Sequence, residues 1–191
     1  MRKTVAVILL LLSATASAHS GHADGGLWHG LSHPFVGLDH ILAMLAVGLW
    51  SAQHQGPLRW QAPVLFLVML TAGAVIGFQG SSLPWLEQGI ASSVLLMGLL
   101  LMVCRRVAPS VALMLFALSA LWHGAAHGVE MPTAVSGLHY GIGFVLASAV
   151  LHGLGFVLMR SLAGCSPAVL IGRVLGGGLT VCGGTLLALT M

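Results

Sequence analysis

From residue 34 onward the chain alternates long apolar stretches with short segments rich in Gly, Pro, Arg and His. The stretches fall at 34–52, 60–78, 84–103, 109–128, 135–159 and 167–190. A helix rises about 1.5 Å per residue, so each can cross about 30 Å of hydrocarbon. Pro34, Pro84, Pro109 and Pro167 open four of the six, a place where the missing N–H has no intrahelical partner to lose. The pattern predicts an all-α integral membrane protein, a bundle of six transmembrane helices. Ahead of them stand Arg2 and Lys3, a short apolar run over 5–12, and Ala16-Ser17-Ala18. This is the layout of a secretory signal. It predicts a cleaved signal peptide over 1–18 and a mature transmembrane domain over 19–191 whose N-terminus lies outside the cytoplasm.

Composition sharpens the picture. Of the 191 residues, 58% are hydrophobic and 6% charged, and the mean hydropathy is +1.01. Soluble domains carry about a quarter charged residues. The net charge of +3 includes Arg2 and Lys3, and the remaining Arg residues form no basic patch, which excludes nucleic acid as a partner and leaves membrane lipid as the medium. Those Arg residues report topology instead. Arg59, Arg105, Arg106, Arg160 and Arg173 all fall at connections or span ends on one side, while 79–83 and 129–134 on the other contain no Arg or Lys. Basic residues mark the cytoplasmic side, so both mature termini are expected on the periplasmic side. Cys104, Cys165 and Cys182 show no CxxC spacing and read as packing residues.

The few ionisable residues in this apolar chain are costly in a membrane and mark a function there. His33, Asp39 and His40 fall at the outer end of the first span, and His123 and His127 at the outer end of the fourth, with Glu130 just beyond. Glu87 opens the third span and His139 the fifth on the same side. On a helix His123, His127 and Glu130 share one stripe, with the two imidazoles about 6 Å apart along the axis, a sound chelating pair. His33 and His40 would lie about 10 Å apart on a straight helix and read as successive stations. Asp39 is placed either to ligate an ion or to accept the free ring N–H of a ligating His. Imidazoles with carboxylates and no thiolate suit Ni, Co, Zn or Cu(II) over Mg or Ca. Met44 is one turn below His40 and reads as core or as a thioether donor. His152 lies about 20 Å deeper than His139 along the same helix, either an inner station or a hydrogen-bonded core residue. His19, His22 and His29 belong to a Gly-rich outer tail. Gly73-xxx-Gly77, Gly137-xxx-Gly141 and Gly172-xxx-Gly176 are small-residue faces for close helix approach, and Gly124 and Gly128 each follow a candidate ligand.

At these residues the chain resembles the HupE/UreJ family of bacterial membrane metal permeases. His33 to His40 matches its H-x5-D-H motif, and His123 to Glu130 its F-H-G-x-(A/V)-H-G-x-E motif, with Trp122 where Phe is usual. The resemblance implies uptake of Ni²⁺, or Co²⁺, across the inner membrane through His33, Asp39, His40, His123, His127, Glu130 and Glu87. It implies no catalytic cofactor, the ion being cargo, and a nickel hydrogenase or urease maturation system downstream. The sequence holds no nucleotide-binding motif, which points to facilitated diffusion or secondary transport and not to an enzyme. Two other readings use the same residue types: an intramembrane zinc hydrolase, which would need a bound water beside a substrate pocket, and a haem protein with axial His ligands from facing helices.

Overall fold

The computed structural model describes residues 24–80, 83–103, 106–132, 134–163 and 168–191. The expected signal segment, His19, His22, Cys104, Arg105, Cys165 and Pro167 lie outside the described residues. Among those described, every regular element is a helix. It runs α1 (Asp24–Ser32), a 3-10 turn (His33–Phe35), α2 (Leu38–Ala52), α3 (Leu58–Phe78), α4 (Leu86–Val103), α5 (Pro109–Glu130), α6 (Gly137–Ala163) and α7 (Ala168–Leu189). The five helices α3 to α7 are long and apolar enough to cross a membrane, and a sixth span results if the segments either side of an 80° bend, Gly25–Phe35 and Leu38–Ala52, count as one.

The later spans end within a few residues of their expected limits, but the first does not start as a straight helix at Pro34. Pro34 has no N–H to continue the α1 ladder, and Gly37 takes an extended conformation, φ −92 and ψ 125, before α2 begins in a new direction. His29, expected in a loose tail, is an exposed residue of α1.

Glycines set the packing. A Cβ at Gly124 would collide with the carbonyl oxygen of Leu70, one at Gly128 with that of Ala74, and those at Gly73 and Gly77 with those of Leu121 and Ala125. The numbers rise together, so α3 and α5 run parallel with their backbones in contact. Gly48 meets the His152 carbonyl and Gly155 that of Leu45, joining α2 to α6, while Gly30 meets Tyr140 and Gly143 meets Leu27, docking α1 on the same helix. On α7 a Cβ at Gly176 would come within 2.6 Å of the Gly98 carbonyl oxygen on α4. A Cβ at Gly141, by contrast, would touch nothing within 4 Å, so the Gly137-xxx-Gly141 pattern is no contact face in this chain. Trp50, Phe66, Leu70, Met97, Phe116 and Phe144 fill the interior, whereas Val64, Val68, Val75, Val150 and Val157 point outward, as a lipid-facing surface requires. Cys182, expected as a packing residue, is exposed on α7.

The most extensive pairings among the long helices are α2 with α6, α3 with α5, and α4 with α7. Exchanging α2, α3 and α4 with α5, α6 and α7 in turn carries this set onto itself. The docking of α1 on α6 has no such counterpart among the described residues.

Candidate metal centre

The break ahead of α2 and the last two turns of α5 bring the predicted donors together. Asp39 sits in the first turn of α2, where a carboxylate is favoured by the helix dipole. Its Oδ1 accepts the backbone N–H of His40 at 2.9 Å and the ring Nδ1–H at 3.0 Å. This leaves the buried Nε2 of His40 without a hydrogen-bond partner among the described residues. Gly37 makes room for the arrangement, because a Cβ there would lie 2.6 Å from the Asp39 carboxylate and 2.8 Å from the His40 ring. On α5, His123 donates Nδ1–H to the Ser119 carbonyl at 3.0 Å, with the Ser93 hydroxyl 3.4 Å away, and its Nε2 is likewise buried and unpaired. In both residues the hydrogen bond fixes the tautomer and presents Nε2 as the free donor atom.

The rings form a continuous run. His33 and His127 have centroids 4.6 Å apart, His127 and His40 3.9 Å, and His40 and His123 4.8 Å. His127 therefore lies in ring contact with both His33 and His40. Glu130 closes the outer end, with Oε2 3.0 Å from His33 Nε2 and 3.8 Å from His127 Nδ1. One ligand atom from each of His33, His127 and Glu130 falls within 4.8 Å of the others. These side chains border an open cleft of about 150 Å³ whose wall also includes Asp39, His40 and Glu87. His139 stands apart: it is exposed on α6 and packs toward Gly26 of α1, where a Cβ would lie 3.3 Å from its own.

Leaving a buried polar atom unpaired costs about 1–3 kcal/mol. Both nitrogens of His127 and the Nε2 atoms of His40 and His123 are in that condition among the described residues. A borderline divalent cation is a fitting partner for the Nε2 atoms of His40 and His123 and for one ring nitrogen of His127, and the donor set of imidazole with carboxylate matches such an ion.

Sequence reasoning passed over several residues that shape the site. Tyr140 packs 5.7 Å from His33 and stacks on Phe144 at 6.3 Å, and Phe144 lies 4.0 Å from His127. Phe66 faces His123 at 6.3 Å. Tyr140 had a legible signal as the chain's only tyrosine. The phenylalanines had none, being indistinguishable from core.

A family model described as HupE / UreJ protein matches residues 7–186. The chain belongs to the HupE/UreJ family. Protein HupE of Rhizobium leguminosarum bv. viciae is 40% identical over 185 residues, covering 96% of this chain and 96% of that protein. No solved structure matches. Membership in the HupE/UreJ family thus extends over both histidine motifs and over every helix that carries them, including α1 and the bend.

Proposed function

We propose that this HupE/UreJ chain takes up Ni²⁺, or Co²⁺, across the bacterial inner membrane by facilitated diffusion or secondary transport through the histidine cleft. The observation that carries the reading is His127 in ring contact with both His33 and His40, with the Glu130 carboxylate at the open end of the run. Such a run offers an ion successive imidazoles in exchange for its water. Glu130, His33 and His127 receive the cation. His40 and His123, held in one tautomer by Asp39 and Ser119, take it deeper, and Glu87 adds negative charge to the cleft wall. The ion is cargo and not a resident cofactor, and a nickel hydrogenase or urease maturation system is its expected destination. In this reading the cleft opens to the periplasm, with Arg59, Arg106, Arg160 and Arg173 at the cytoplasmic side. Family membership gives no support to the intramembrane zinc hydrolase.

The test is uptake of radioactive nickel by nickel-starved cells, with cobalt and zinc as competitors. Wild type should accumulate nickel, and the His123→Ala/His127→Ala double variant at matched membrane abundance should lose uptake. A well-inserted wild type that moves none of these metals would overturn the permease reading.

A further inference from the structure

The cleft residues leave one buried imidazole unused. His152 lies on α6 two turns beyond Phe144, about 12 Å deeper in the bundle than the level of His127, and it is 4% exposed. Neither Nδ1 nor Nε2 has a hydrogen-bond partner among the described residues. Its ring packs edge to face on Phe66, with centroids 5.4 Å apart and planes at 88°. Phe66 is fully buried, and its ring also lies 6.3 Å from that of His123. Three rings from three helices thus continue the line of the cleft inward: His123 from α5, Phe66 from α3 and His152 from α6. A side chain wanted only for its volume has no need of two ring nitrogens, since a leucine or phenylalanine fills space without burying polar atoms. A buried ionisable residue in a membrane span otherwise faces a polar path or a partner.

We propose that His152 is a second, inner ligand for the transported divalent cation, separated from the outer site by the Phe66 ring. The inference rests on the transport reading. An ion leaving Nε2 of His123 meets the Phe66 ring first, and a rotamer change of that ring opens the way to the imidazole on α6. Phe66 keeps the two sites distinct, so an ion occupies one or the other and no continuous wet channel joins them.

Proteoliposomes containing the full-length protein allow uptake of radioactive nickel and nickel titration on the same preparation. His152→Leu should retain nickel affinity at the cleft while uptake falls about tenfold or more, the scale expected when a metal-site partner is lost. His152→Cys should recover part of the uptake and shift competition toward zinc, because a thiolate is a softer ligand at the same depth. A purely structural role predicts that the leucine variant stays active and that cysteine holds no advantage over it, since both fill the space with apolar volume. If His152→Leu fails to insert, His152→Gln decides by the same comparison. An inserted Leu or Gln variant that transports like wild type overturns the inner site and leaves the cleft reading standing. Failure of wild type to move nickel overturns both.

Discussion

Asp39 accepts two hydrogen bonds from a single neighbour, His40, so its charge decides which ring nitrogen is left for an ion. Asp39→Asn keeps the size and loses the charge. Nickel affinity, read by titration of the purified protein, should fall about 10- to 100-fold with helix content unchanged. Gly37→Ala tests the same pair without touching either member, because its Cβ would sit 2.6 Å from the Asp39 carboxylate and must push it aside. A comparable loss of affinity is expected, and wild-type binding in that variant would show that the pair can shift at no cost. At this scale much was legible. The sequence offered Asp39 either as a ligand or as the acceptor of an imidazole N–H, of which the structure shows the contact to His40, and the spacing of His123, His127 and Glu130 placed them on one stripe. The central position of His127 was not legible, because it depends on a bend that carries His33 across to α5, and periodicity within one helix is blind to such a bend.

Contact between helices follows from what faces each glycine, not from the motif in which it stands. Gly124→Ala should separate α3 from α5, since its Cβ meets a backbone carbonyl that cannot rotate away, and overpacking of this kind costs about 1–3 kcal/mol. Gly141→Ala faces open space and should stabilise α6 by up to about 1 kcal/mol through helix propensity. Unfolding of the two variants in detergent, followed by circular dichroism, checks both signs. The sequence shows the same small-xxx-small spacing in each case, so only the tertiary arrangement separates them. Helix α1 escaped the sequence for a related reason. With Gly25, Gly26 and Gly30 in nine residues it has weak helix propensity, and its docking on α6 supplies what propensity does not. The long helices were readable because the length of an apolar run is a property of the chain itself.

For the molecule as a whole, the exchange of α2, α3 and α4 with α5, α6 and α7 preserves the three main pairings, although the halves show no convincing sequence likeness. Three-helix halves that exchange in this way, if inverted in the membrane, suit a protein that opens alternately to two sides. Its orientation can be checked with single cysteines in a cysteine-free background. In spheroplasts an impermeant maleimide should label Pro132→Cys, between α5 and α6, and spare Gln55→Cys, between α2 and α3. Labelling of position 55 alone would invert the expected topology. The α1 segment breaks the exchange, and it does so at the mouth. His33 reaches the cleft from upstream of the bend, whereas its contacts His127 and Glu130 belong to α5. A cation held by all three would therefore tighten the link to α5 that His33 already makes through Glu130 and His127. On the proposed uptake reading the cargo would then also be a rivet, its arrival stiffening the doorway and its departure loosening it for the next ion.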